Sequence, residues 1–136
     1  MEFTIKEYQC YHEPEILALY DRVGWSNYTA NPKLLENAYH HSLKIFGAYD
    51  NETLLGIIRV VGDGYSIIYI QDILVLPQYQ RMGIGTALLN KILEEYKDVY
   101  QKTLLTDNTE QTIAFYKSLG FSMDTEIECR AFMKTF

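Results

Sequence analysis

Cysteine is scarce. Cys10 and Cys129 are the only two, far apart and in no metal-like spacing. A disulfide framework is therefore not expected, and a reduced, cytoplasmic setting fits better. Basic residues are outnumbered, 12 Lys and Arg against 18 Asp and Glu, for a formal net charge of −6. Sequence-independent nucleic-acid binding needs a basic footprint to displace counterions, so no nucleic-acid partner is expected. No apolar run approaches the ~20 residues of a membrane span, so no membrane partner is expected either. The first residues alternate charged and apolar types with no apolar leader core, which does not read as a signal peptide. The three histidines, His12, His40 and His41, have no partners at ligand spacing, so no metal is expected.

What is present reads as one ordinary globular domain over residues 1–136. Phe3 to Glu7 alternates like a strand. Glu13 to Val23 has helical apolar spacing and ends at Gly24. Trp25 to Asn31 reads as a loop, and Asn31-Pro32 as the cap and first turn of a second helix. Leu43 to Tyr49 and Leu54 to Gly62 read as hairpin strands. Tyr65 to Leu76 is nearly continuously apolar, which predicts a central strand covered on both faces. A helix from Ile84 to Tyr96, a strand at Thr103 to Thr106 and a helix from Thr109 to Leu119 follow. Phe121 to Met123 and Arg130 to Phe136 read as two final strands. The order predicts an α/β fold with a mixed sheet.

The segment Gln80-Arg81-Met82-Gly83-Ile84-Gly85 links the apolar strand to the amphipathic helix. A helix N-terminus offers unpaired N–H groups and a positive dipole end, which suit a phosphate. Gly83 and Gly85 let the backbone approach it, Thr86 can add a hydroxyl and Arg81 a charge. A P-loop would need Lys-Ser or Lys-Thr after the second glycine, whereas Gly85 is followed by Thr86-Ala87. A dinucleotide fingerprint would need a third glycine where Leu88 stands. Taken by itself, a lone Gly-x-Gly reads first as a plain turn and helix cap.

The surroundings are more specific. Asp72-Ile73-Leu74-Val75-Leu76-Pro77-Gln78-Tyr79-Gln80-Arg81-Met82-Gly83-Ile84-Gly85-Thr86-Ala87 resembles the GNAT (GCN5-related N-acetyltransferase) family signature. Ala114-Phe115-Tyr116-Lys117-Ser118-Leu119-Gly120-Phe121 resembles its second element, and the likeness spans essentially the whole chain. The resemblance implies a mostly antiparallel mixed sheet with a splayed central strand pair, flanked by helices. It implies acetyl-coenzyme A as cosubstrate, its pantetheine arm bonded to the backbone of Ile73, Leu74 and Val75. Its pyrophosphate would lie on the segment Gln80, Arg81, Met82, Gly83, Ile84, Gly85 and Thr86. Asn108 is the candidate for a further contact, one residue before the usual family register. The activity implied is acetyl transfer to a primary amine by direct attack on the thioester. A non-catalytic acyl-coenzyme A-binding or sensor module on the same fold is the alternative.

Under the resemblance Tyr116 matches the tyrosine near the coenzyme A sulfur, a general acid for the leaving thiolate. Core packing is its plainer use. Asp72 interrupts an apolar strand. It reads either as a base for the substrate ammonium or as a bond partner within a strand bulge. Trp25 and Tyr28, in the loop between the first helices, are acceptor-site candidates, and packing beneath that loop is the other reading. Gly24-Trp25 and Ala131-Phe132-Met133 are similar to a serotonin N-acetyltransferase-like subgroup. A small-molecule amine is the expected partner, and a homodimer is left open.

Overall fold

A computed structural model describes residues 2–135. The chain divides into two compact parts, one up to Leu105 and one from Thr106 onward. In the first part the order is β1 (Thr4–Glu7), α1 (Glu13–Arg22), α2 (Ser26–Thr29), α3 (Pro32–His40), β2 (Lys44–Asp50), β3 (Thr53–Gly62), β4 (Ile67–Val75), α4 (Ile84–Glu95) and β5 (Gln101–Leu104). The strands form one sheet in the order β1-β2-β3-β4-β5. β1 to β4 are antiparallel neighbours, and β5 joins β4 in parallel after the α4 crossover.

Helices cover both faces. Ile16, Leu19 and Tyr20 of α1 and Leu35 and Tyr39 of α3 bury against Ile45, Ile57 and Leu74 of the sheet. On the other face α4 turns in Ile84, Leu88, Leu89 and Ile92, its helical stripe. The Lys91 ammonium of α4 lies over the Phe46 ring, 5.7 Å from its centroid. Each large aliphatic side chain withdrawn from water in this way contributes about 1.5–3 kcal/mol before the entropy of ordering is charged against it.

The strand covered on both faces is β3, where Leu54 to Val60 are all buried, rather than the expected Tyr65–Leu76 strand. β3 is the third of five strands, so α1 and α3 reach its one face and α4 its other. β4 alternates instead: Ile68, Ile70, Asp72 and Leu74 are buried, Gln71 is exposed, and Ile73 and Val75 are half-buried. Gly56 permits the β3–β4 approach, because a Cβ there would lie 2.5 Å from the Leu74 carbonyl oxygen.

Two local expectations also change. The Trp25–Asn31 loop contains one helical turn, Ser26–Thr29. Asn31 occupies the N-cap position of α3, but its side chain donates backwards to the Asn27 carbonyl at 3.0 Å instead of capping.

The second part holds α5 (Glu110–Ser118) and a 3₁₀ turn at Asp124–Ile127. Thr109 caps α5, accepting from the Thr112 N–H at 3.2 Å. Neither expected final strand forms among the described residues; Phe136 lies outside them. Local bonds take the backbone instead. The Met123 N–H donates to the Glu126 carboxylate at 2.9 Å and the Cys129 N–H to the Asp124 carbonyl at 2.9 Å. A short apolar stretch makes a strand only when a partner supplies the ladder.

Candidate active site

β4 pairs with β5 only from Ile67 to Ile70, opposite Gln101 to Leu104. Beyond Ile70 the edge of β4 away from β3 has no strand partner among the described residues. This is the expected splay. Ile73, Leu74 and Val75 lie on that stretch, still paired on the other side with Ile58, Ile57 and Gly56. The unpaired edge presents main-chain donors and acceptors to an extended ligand, the arrangement of an added strand.

Leu76 and a 3₁₀ turn at Pro77–Tyr79 carry the chain to α4. Gln80 anchors this link, its side-chain amide donating to the Val75 carbonyl at 3.1 Å. Arg81 and Gly83 are both left-handed, with φ of 65° and 86°. Gly83 is the N-cap of α4 and no side chain caps it. No acidic residue stands in the first turn. The N–H groups of Ile84, Gly85 and Thr86 therefore have no intrahelical acceptor, and α4 is twelve residues long. A Cβ on Gly83 would have nothing within 4 Å, so the backbone angle, not crowding, calls for glycine. Arg81, Met82 and Thr86 are exposed on the same turn. An uncapped helix end with open space before it suits an anion such as a pyrophosphate.

Trp25 and Tyr28 are half-buried beside the α1–α3 core. Both rings meet Tyr20 edge-on, with centroids 6.0 and 5.3 Å away. The Tyr28 hydroxyl accepts from the Gln71 side-chain amide of β4 at 3.3 Å. Tyr28 thus reaches the strand that begins the splay, and Trp25 lies beside Tyr28, with ring centroids 6.3 Å apart.

Asp72 is 1% exposed and faces Arg59, 4% exposed, across the β3–β4 ladder. Its Oδ2 accepts from Arg59 Nε at 2.8 Å, from Arg59 Nη2 at 2.8 Å and from the Tyr20 hydroxyl at 2.6 Å. Its Oδ1 is buried without a partner. Burial alone would lower the Arg59 pKa, but the Asp72 carboxylate outweighs it and the guanidinium is pushed up. Burial, reinforced by Tyr39 and Asp72, drives the Tyr20 hydroxyl far up, so it remains a donor. Of the two readings open for Asp72, this geometry matches a bond partner at a strand bulge. Arg59, Tyr20 and Tyr39 were missed from sequence. The available signal was Arg59 itself, a lone charge within Leu54 to Val61.

In the second part Tyr116 is half-buried between Phe115 and Phe121, with ring centroids 5.0 and 5.9 Å away. Burial pushes its hydroxyl up, and a hydrogen bond with Thr106 offsets part of that. Asn108 is exposed in the link before α5. A cavity of about 260 Å³ is lined by Tyr8, Gln9, Tyr11, Tyr39, His40 and Ile45, none of which belongs to the β4–α4 segment. Among the described residues no group of three or more His, Cys, Asp or Glu could hold a metal, and no helix is long and apolar enough to cross a membrane.

The model of the acetyltransferase (GNAT) family matches residues 4–121. The chain belongs to the GNAT family. The histone acetyltransferase TAP1 of Glycine max is 34% identical over 123 residues, covering 82% of this chain and 52% of the relative. The chain thus spans about half the length of that curated relative. A GNAT-family acetyltransferase from Streptococcus pneumoniae TIGR4 superposes with a TM-score of 0.90 at 39% identity, covering 99% of this chain and 98% of that one. The PaiA N-acetyltransferase of Thermoplasma acidophilum, solved in complex with coenzyme A, shares the fold at a TM-score of 0.72 and 15% identity, covering 90% and 91% of the two chains. The five-stranded mixed sheet with flanking helices is the GNAT fold.

Proposed function

We propose that this GNAT protein transfers an acetyl group from acetyl-coenzyme A to a small primary amine. One observation carries the reading. The unpaired edge of β4 leads, within one short link, into the uncapped N-terminus of α4. An elongated ligand with an amide-bearing arm and a pyrophosphate matches that pair of features in order. Ile73, Leu74 and Val75 bind the arm through their backbone. The turn from Gln80 to Thr86 receives the pyrophosphate, and Asn108 is retained as a further contact.

In this reading a neutral amine, its proton released to solvent, attacks the thioester carbonyl. The backbone N–H near Val75 polarises that carbonyl. The tetrahedral adduct gives up its second nitrogen proton to solvent, collapses to the amide and expels the thiolate. Tyr116 donates its phenolic proton to the sulfur and regains one from solvent. The upward shift of Tyr116 keeps that proton in place at working pH. Trp25 and Tyr28 border the acceptor, where their rings suit a cationic or aromatic amine.

The test pairs calorimetric titration of acetyl-coenzyme A with a thiol-release assay over an amine panel. Binding together with thiol release for at least one amine is expected. Binding with no release from any amine would leave the acyl-coenzyme A sensor reading standing and remove the transferase. No binding at all removes both.

A further inference from the structure

Arg59 and Asp72 are the buried charged residues of the described chain. Exchanging a buried ion pair for apolar side chains is often neutral or stabilising, so stability does not account for this one. Its place in the sheet does. The ladder runs regularly through Gly62↔Ile68, Val61↔Tyr69 and Val60↔Ile70. Continued without interruption, it would set Arg59 opposite Gln71. Instead the register shifts between Arg59 and Val60, Gln71 is passed over, and Arg59 faces Asp72. The ion pair and the bulge therefore depend on each other.

Apolar packing specifies this register weakly. β3 offers Ile57, Ile58, Val60 and Val61, and β4 offers Ile67, Ile68, Ile70, Ile73 and Leu74. A slip by one residue exchanges one aliphatic neighbour for another. It also leaves a guanidinium opposite an amide and a carboxylate opposite Ile58, both buried and unpaired. Further bonds hold the pair from other elements. Tyr20 of α1 donates to Asp72 and meets the Tyr39 hydroxyl of α3 at 3.1 Å. Arg59 Nη1 donates to the Ser42 hydroxyl at 3.2 Å, and Ser42 donates to the Ala38 carbonyl at 2.7 Å. The guanidinium lies over the Tyr39 ring, 5.6 Å from its centroid.

The bulge sits where β4 parts from β5: the last parallel pair is Ile70↔Leu104, and Gln71 follows. We propose that Arg59 and Tyr20, acting through Asp72, are positioning residues that lock the β3–β4 register at Gln71 and so fix which backbone groups of Ile73–Val75 face the acyl donor. The same lock directs the Gln71 side chain to Tyr28. The inference rests on the acyl-coenzyme A reading of that edge, but its structural half is testable without it.

The experiment uses the full chain carrying Arg59→Met with Asp72→Leu, which removes both charges and keeps the volume apolar. Tyr20→Phe, which removes one donor to Asp72, is the milder variant. Arg59→Lys is the conservative partner, keeping the charge but not the fork. Three quantities are read: amide hydrogen exchange across residues 67–75, the Kd of acetyl-coenzyme A, and kcat at saturating donor. The double variant is expected to fold with exchange raised in β4 and Kd weakened about tenfold or more, as small misplacements in binding edges do. Kcat at saturation is expected to change less than Kd, and Arg59→Lys is expected to fall between wild type and the double variant. Should the double variant not fold, Tyr20→Phe decides by the same readings. Folded variants with wild-type exchange in β4 and wild-type Kd would overturn the proposal. If the wild type binds no acetyl-coenzyme A, the transferase reading fails by itself, and exchange in β4 still decides whether the lock exists.

Discussion

Gly83 and Gly56 are both small for different physical reasons, and substitutions can tell the reasons apart. Gly83 has φ of 86° and open space where a Cβ would lie. Gly83→Ala should therefore cost only the left-handed backbone penalty, about 1–2 kcal/mol. Valine adds a branched Cβ and should cost at least as much. Asparagine tolerates the left-handed region and should recover part of the loss. Gly56 has no positive φ. Its Cβ would meet the Leu74 carbonyl oxygen at 2.5 Å and Val75 Cα at 3.2 Å. Both contacts are backbone, so β3 and β4 must part, at up to about 3 kcal/mol. Asparagine gives no relief at Gly56 and should be worse than alanine.

The assay is urea unfolding of the six variants, alanine, asparagine and valine at each glycine, followed by tryptophan fluorescence and circular dichroism. At position 83 the stability order should be Asn above Ala above Val, and at 56 Ala above Asn. Acetyl-coenzyme A affinity gives a second axis. A side chain at 83 adds atoms at the N-cap of α4, where a Cβ meets nothing within 4 Å, so even the well-folded Gly83→Asn should bind the donor weakly. The same ranking of side chains at both positions would refute the distinction between backbone angle and crowding. Wild-type affinity in Gly83→Asn would remove the turn as the pyrophosphate site.

Three further outcomes follow from the buried polar groups. Arg59→Met alone leaves the Asp72 charge buried and should cost about 3–5 kcal/mol, while adding Asp72→Leu should restore most of it; equal destabilisation of the single and double variants would contradict the pairing. Burial holds the Tyr11 hydroxyl up at about 12 and drives Tyr8, Tyr20 and Tyr39 further up. The unfolded chain loses these protons near pH 10 and the folded chain keeps them, so stability is intact below pH 10 and falls as pH rises above it. Absorbance titration should therefore show fewer than the 12 tyrosines ionising at pH 11 while the circular dichroism stays native, and full reversible titration near pH 10 would sink the argument. Tyr116→Phe should lower kcat while leaving donor affinity near wild type, and an unchanged maximal rate, with chemistry shown to limit turnover, would remove Tyr116 as the acid.

Much of the architecture was legible because its periods are long. The α4 stripe of Ile84, Leu88, Leu89 and Ile92 and the glycine turn before it need no tertiary information. The last two strands were misread because a short apolar stretch does not say whether a neighbouring strand supplies its ladder. Phe132 and Met133 remain 93% and 70% exposed, with no ladder partner among the described residues. The covered strand was misassigned for a related reason. Tyr65–Leu76 and Leu54–Gly62 are both apolar runs, and only sheet order decides which has a helix on each side.

Asp72 shows where reading one residue at a time stops. A carboxylate breaking an apolar strand reads as chemistry, and so would an arginine breaking the strand before it. Taken together, on strands joined through Gly62-Asp63-Gly64, they read as a pair, but hairpin counting from that turn sets Arg59 against Gln71 and hides it. The bulge that restores the pairing has no separate sequence signal. Its only trace is that the two buried charges lie one position away from facing each other. A polar residue one step out of register with an opposite charge on the neighbouring strand is thus evidence for a bulge. In this fold a bulge at that position is also where β4 leaves β5, which ties the misaligned pair to the edge on which the acyl donor is proposed to bind.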